Sequence, residues 1–189
     1  VEEATLSGVT ESTGGVEHHE ITTHKALIRS DSREVLGVVG SGYHVFQNED
    51  LADLVTDVVA GDLKAVETAG TLKGGKRVWS LLGGEEYDVA GVDPVKGYGL
   101  FCNGHDGGMA IRVLPTTVRV VCANTFTASG AEDIMRGLSI RHTSGAQDGI
   151  DEARAVLTTT AEELTAFHAL TDSLAAVEVD TKWLQQFFM

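Results

Sequence analysis

Residues Asn103–Thr125, NGHDGGMAIRVLPTTVRVVCANT, decide how the rest of the chain is read. A Gly-rich turn carrying His105 and Asp106 leads into two adjoining apolar runs, Met109–Leu114 and Thr116–Thr125, which hold Arg112, Arg119, Cys122 and Asn124. Both runs read as strands, and Gly97–Cys102 on the near side of the turn pairs with the first of them. In the second run strand alternation puts Thr117, Arg119, Val121 and Ala123 on one face and Val118, Val120, Cys122 and Asn124 on the other. A buried guanidinium is costly, so Arg119 either meets a carboxylate or faces solvent.

Upstream, Ala65–Leu82 reads as a hairpin whose turn is Lys73-Gly-Gly-Lys76, with Val78, Trp79 and Leu81 on the returning strand. Gly83-Gly84 and Asp93-Pro94 mark further turns. Val35–Gln47 holds two short apolar runs around Gly40-Ser41-Gly42, a hairpin or a bulged strand. Asn48 is a credible N-cap, followed by the acids Glu49 and Asp50. Leu51, Leu54, Val55, Val58 and Val59 then form the stripe of an amphipathic helix that Gly61 ends.

Downstream, Phe126–Gly137 is helix-compatible and Ser139–Thr143 is short and extended. A long helix starts near Asp148 or Asp151 and presents Ala153, Val156, Leu157, Leu164, Phe167 and Leu170 as its apolar face. Val1–Ser32 has weak periodicity; a strand or two around a turn fit Glu20–Arg29, and the adjacent His18 and His19 point to opposite faces as a surface pair. Strands come first and long helices last. The expected class is therefore α+β: an antiparallel β-sheet of hairpins packed by an amphipathic helix and a long C-terminal helix. Residues 1–34 read as an N-terminal strand and loop segment, 35–180 as a single α+β domain, and 181–189 as the start of a truncated helix. With no initiator Met and an abrupt end, the chain reads as a segment of a longer polypeptide.

The 189 residues carry 14 Lys and Arg against 28 Asp and Glu, a formal net charge of −14. Charge-driven binding to a polyanion by the molecule as a whole is thereby disfavoured. The distribution is uneven: residues 1–63 hold 12 acids and 3 bases, whereas Lys64–Ser80 holds Lys64, Lys73, Lys76 and Arg77 against Glu67 alone. No apolar run reaches the roughly 20 residues that cross a bilayer, so no membrane partner is expected and the location expected is cytoplasmic. Cys102 and Cys122 read as buried free thiols.

Four motifs in this order resemble one family. They are Leu36–Asn48 (LGVVGSGYHVFQN), Glu67–Trp79 (ETAGTLKGGKRVW), His105-Asp-Gly107 with Thr117–Thr125, and Arg141-His-Thr143. Together they resemble the phage- and plasmid-encoded proteins grouped as domain of unknown function 932, over about Val35–Ala176. The family usually opens with a Trp-His-Gly-Leu-Gly type motif, which this chain does not contain. The resemblance implies an origin in a phage, prophage or plasmid and a place among mobile-element DNA functions, in the host cytoplasm, without implying a reaction.

The first expectation for function is a non-catalytic nucleic-acid-associated accessory protein, of single-strand binding or annealing type. Lys73, Lys76, Arg77, Arg112, Arg119, Arg141 and His142 are its candidate contacts to phosphates. Tyr43, Phe46, Trp79, Tyr98 and Phe101 are the nearest aromatics for stacking, with Trp79 read as core. His105, Asp106 and Asn124 are further polar candidates. The second is an acidic interaction module acting on a host protein, with the bases scattered or paired. The third is a hydrolase using His105, Asp106 and His142, which needs those side chains to converge. In a Gly-rich turn Asp106 more often caps backbone N–H groups. No metal site is expected, because His44, His105, Asp106 and His142 have no ligand spacing, and no cofactor is expected, since Lys73-Gly-Gly-Lys-Arg77 lacks the phosphate-loop pattern. Self-association is left open.

Overall fold

A computed structural model describes residues 1–13, 15–59, 65–91, 93–133 and 137–178. The class is α+β. Among the described residues eight strands form two antiparallel sheets: β1 (Glu2–Ser12), β2 (Gly15–Ile28) and β3 (Val35–Gly40) in one, and β4 (Ala65–Leu72), β5 (Arg77–Val89), β6 (Asp93–Gly104), β7 (Ile111–Thr116) and β8 (Leu138–Ile140) in the other. Each sheet runs in sequence order, as a meander of hairpins must. The helices are α1 (Asn48–Val59), α2 (Ala123–Ala128) and α3 (Ala146–Ala175).

The central part of the five-stranded sheet is buried on both faces, which is why β6 from Gly97 and β7 read as nearly continuous apolar runs, whereas the edge strand β4 is exposed or half-buried. Phe101 on β6, Ile111 and Val113 on β7 and Leu82 on β5 pack under Leu51, Leu54 and Val55 of α1, Ile140 of β8 and Ala153 of α3. The neighbours that point the other way (Trp79, Leu81, Leu100, Cys102 and Leu114) pack under Phe126 of α2, Ala131 and Val120. Gly149 of α3 lies against Ile140, where an added Cβ would come within 2.8 Å of its side chain.

The expected strand at Thr116–Thr125 does not form. β7 runs through Pro115 to Thr116 and stops there: the Thr116 hydroxyl accepts the Val118 N–H at 3.1 Å, and the Thr125 hydroxyl accepts those of Val121 at 2.9 Å and Cys122 at 3.0 Å. These local bonds turn the chain and start α2 at Ala123, while β8 takes the free edge of β7. Cys122, expected to be buried, is exposed as the N-cap residue of α2, whereas Cys102 is a buried free thiol. Arg119 consequently lies on an exposed loop rather than a strand.

The segment expected to be weakest is a long hairpin. β1 and β2 pair from Glu2↔Ile28 to Ser12↔Gly15, and most of their side chains are exposed, so no apolar alternation marks them in the sequence. His18 and His19 are exposed there. β3 pairs with β2, and the second half of the expected Val35–Gln47 hairpin is not a strand. Gly83-Gly84 is no turn but lies inside β5, where the ladder to β6 shifts register between Gly83 and Glu86. An added Cβ on Gly83 would meet the Glu67 carboxylate at 2.5 Å. On α3, Ala153 is buried but Phe167 and Leu170, expected to face the core, are exposed. The end of α1 at Gly61, the side chains of Val58, Val59, Val156, Leu157 and Leu164, and the helix expected from 181 lie outside the described residues.

The two sheets meet where β3 crosses the β6–β7 turn. A Cβ on Gly37 would lie 2.8 Å from the Asp106 Cα and 2.9 Å from the His105 carbonyl oxygen, backbone atoms that cannot move aside cheaply. Gly37→Val is expected to cost about 1–3 kcal/mol, read from urea midpoints. Gly40→Ala, with nothing within 4 Å of the new carbon, is expected to stay within about 0.5 kcal/mol. Equal midpoints for the two variants would show that the sheets do not pack in this way.

Candidate functional site

The strand registers carry most of the singled-out residues to one end of the five-stranded sheet. Arg77 pairs with Gly104, Cys102 with Arg112, and Ile111 with Ile140. The β4–β5 turn (Lys73–Lys76), the β6–β7 turn (His105–Ala110) and the residues after β8 (Arg141, His142) therefore adjoin. Arg119 and Asn124, both exposed, do not join them: Arg119 lies at the opposite end of the sheet, 4.0 Å from Glu67 near the start of β4.

On the α1 side of this end sits a buried, neutral polar cluster. The chain between β3 and α1 crosses the sheet end and is bonded down at each step. The Tyr43 hydroxyl donates to the Gly104 carbonyl at 2.8 Å, and its ring stacks on His142 with centroids 4.5 Å apart. His44 and His142 exchange two bonds: the His44 N–H donates to the His142 carbonyl at 3.0 Å, and His142 Nδ1 donates to the His44 carbonyl at 3.2 Å. Asn103 Nδ2 donates to the Phe46 carbonyl at 2.8 Å. His105 Nε2 donates to Asn48 Oδ1 at 2.8 Å, and its backbone N–H donates to the Lys76 carbonyl at 2.7 Å.

Burial sets the protonation states here. His105 is fully buried, and desolvation, then the neighbouring His142, lowers its pKa from 6.5 to about 4. His142 is lowered in the same way, and burial raises the Tyr43 hydroxyl. The imidazole of His105 is neutral with its proton on Nε2, and Nδ1 is buried with no hydrogen-bond partner among the described residues. Its bond runs to an amide, not to a carboxylate or hydroxyl, so the cluster has the form of a clamp rather than of an acid–base relay. Asp106 turns away from it. One oxygen accepts the Gly108 N–H at 2.9 Å, the Asx turn expected of this loop, and the other lies 3.6 Å from Arg77 Nε. Among the described residues no group of three or more His, Cys, Asp or Glu is arranged to hold a metal ion.

The α2 side of the same end holds two arginines among carboxylates. Arg77 shares the face of Trp79, and Arg112 that of Leu114, so both guanidiniums lie under the loop that follows α2. Arg112 is 2% exposed and donates to the Asp133 carbonyl; burial lowers its pKa. The Arg77 side chain, 11% exposed, bonds the Glu132 carboxylate. Lys73 and Arg141 are exposed and Lys76 is half-buried. Of the aromatics considered for stacking, Phe46, Trp79, Tyr98 and Phe101 are buried in the core, leaving only the half-buried Tyr43. Asn48 and Asn103 are cluster members to which the sequence pattern assigns no site role, and Tyr43, considered there only for stacking on bases, is a hydrogen-bonded member of the clamp. Asn48 is visible there only as a helix cap.

The molecule is thus an α+β protein whose distinguishing feature is a sheet end divided between a neutral histidine clamp and a face bearing two set-back arginines. The chain belongs to the family described as "Domain of unknown function (DUF932)", which matches residues 35–189. Neither the curated proteins nor the solved structures hold a significant match to it.

The clamp makes stability depend on pH. Unfolded, the His105 imidazole takes up a proton near pH 6.5; folded, it does so only near pH 4. The unfolded state binds more protons between these values, so stability falls as the pH is lowered through this window and the contribution is gone below it. At about 1.4 kcal/mol per pKa unit the loss attributable to His105 is about 3 kcal/mol. Urea midpoints of the wild type are expected to drop between pH 7 and pH 4.5, and those of His105→Gln to drop distinctly less. Parallel pH profiles would place the imidazole in solvent and overturn the assignment.

Proposed function

We propose that the protein is a non-catalytic, nucleic-acid-associated accessory protein of a mobile element, of single-strand binding or annealing type, and that a strand is engaged at the turn end of the five-stranded sheet. The observation that supports this is topological: Lys73 and Lys76 on one turn, Arg77 at the start of β5 and Arg141 after β8 come from distant parts of the chain to one sheet end, whereas His142, also considered for phosphate contact, is buried and neutral in the clamp. Lys73, Lys76 and Arg141 are accessible enough to meet phosphates, with Arg77 and Arg112 set behind them. The bonding of His105 to Asn48 and of Asp106 to its own turn favours binding over hydrolysis.

A specific observation favours a second reading, an acidic module acting on a host protein. The Glu67 carboxylate bonds Lys96 and approaches Arg119, and that of Glu132 bonds Arg77. Much of the basic middle of the chain is thereby matched within the domain, and the net charge is −14.

Fluorescence anisotropy with a labelled single-stranded oligonucleotide, at about 50 and about 200 mM salt and with a duplex control, decides between them. On the first reading binding weakens with salt, and in the double variant Lys73→Ala, Lys76→Ala the slope of log K against log salt falls by about 0.7 for each of the two lysines that meets a phosphate. A folded sample that binds no strand at the lower salt would leave the host-protein reading in its place.

A further inference from the structure

Beside Ser129–Asp133, which follow α2, the two set-back arginines border a cavity of about 200 Å³ whose lining includes Met109, Ala131, Glu132 and Ser139. At about 30 Å³ per water it has room for several solvent molecules, hence for a tetrahedral oxyanion and the first atoms attached to it. We propose that this cavity is a binding site for a phosphate-class oxyanion, held between the guanidiniums of Arg77 and Arg112, with the Glu132 carboxylate as the internal occupant that it displaces.

Three observations carry this. The first is the register: Arg112 sits opposite Ser139 across β7–β8, and Arg77 reaches the same face from β5, so the guanidiniums enter from different strands. Planar forks approaching from two sides suit a tetrahedral anion, which offers oxygens in several directions, better than a flat carboxylate. Second, Arg77 is incompletely used. Its terminal nitrogen bonds Glu132, but Nε is buried with no hydrogen-bond partner among the described residues, because the nearest Asp106 oxygen stands 3.6 Å away, beyond bonding range. A buried charge-bearing N–H without an acceptor is expensive, and a bound oxyanion would supply one. Third, the competitor is of a kind that can leave. The Glu132 side chain is 45% exposed and sits in the loop past the end of α2, so it can swing into solvent when a doubly charged anion arrives.

The oxyanion is either a free ion or the terminal phosphate of a strand, since the recognition chemistry is shared. The inference therefore does not rest on the nucleic-acid reading, and the two fail separately. Inorganic phosphate is the first probe, titrated by calorimetry against the whole chain at constant ionic strength held with chloride. A 5′-phosphorylated and an unphosphorylated oligonucleotide form the second arm. Saturable phosphate binding is expected, tightened about threefold to tenfold in Glu132→Gln, which removes the competing charge, and abolished in Arg77→Gln. If the terminal phosphate is the source, the phosphorylated oligonucleotide outcompetes the free ion; if it does not, the source is a free ion and the site stands. Absence of saturable binding in both wild type and Glu132→Gln overturns the proposal, as does equal binding by a folded Arg77→Gln. Should Arg77→Gln fail to fold, an unchanged affinity in Glu132→Gln overturns it alone.

Discussion

The structure depends on the way residues 43–48 are bonded across the end of the five-stranded sheet. Atoms of that segment, from the Tyr43 hydroxyl to the Asn48 amide, find partners on Gly104, His142, Asn103 and His105. Each bond contributes only about 0.5–1.5 kcal/mol net, but leaving one buried member unpaired costs about 1–3 kcal/mol. The cluster therefore forms as a unit or not at all. Forming it fixes where α1 begins, and so which way Leu51, Leu54 and Val55 face, and it brings β3 onto the β6–β7 turn. Gly37 and Gly104 are the positions where this closeness leaves no room: a Cβ on Gly104 would meet that of Met109 at 2.6 Å.

The same constraint divides the sheet end into two chemistries. Strand alternation sends Asn103 toward α1 and Arg77 and Arg112 toward α2, so histidines and guanidiniums from neighbouring positions never share an environment. On the α1 side desolvation keeps the imidazoles neutral. On the α2 side burial of Arg112 is offset by the Asp133 carbonyl, and Arg77 by Glu132 and Asp106. Charge separation of this kind is poorly suited to proton relay but well suited to holding anions of defined shape, because the positive groups are fixed before a ligand arrives.

How much of this is legible in the sequence depends on whether the signal is local. Leu51, Leu54 and Val55 of the α1 stripe and the β4–β5 hairpin carry their periods and turn residues within a few positions, and they lie where the pattern puts them. Thr116–Thr125 has the composition of a strand, but the hydroxyls of Thr116 and Thr125 bond its backbone locally, and hydroxyl bonding leaves no periodic trace. The long β1–β2 hairpin is hidden for the opposite reason: with both faces largely exposed, it needs no apolar alternation. The two arginines of the deciding stretch end in different settings. Arg112 is the buried one, and Arg119, for which burial or exposure was open, is 62% exposed. Their fates follow from where β7 ends, which tertiary contacts set. The histidine clamp is legible only as parts, since Asn48 and His105 are 57 residues apart and nothing short of the fold brings them together.

The remaining question is how an acidic protein would hold a polyanion. Among the described residues, Lys73, Lys76 and Arg141 are the cations at the turn end without a carboxylate partner. Three phosphate contacts give a salt slope of only about 2 for a single strand. On the nucleic-acid reading one copy of the chain would bind weakly and release readily, its acidic flanks repelling the strand at longer range. Useful occupancy on the nucleic-acid reading requires several copies on one strand, where each bound neighbour raises the effective concentration of the next site and the slopes add. The acidic flanks would oppose close packing of those copies unless the strand lies between them. Strand binding and self-association are on this account coupled, and the net charge of −14 sets the sign of that coupling.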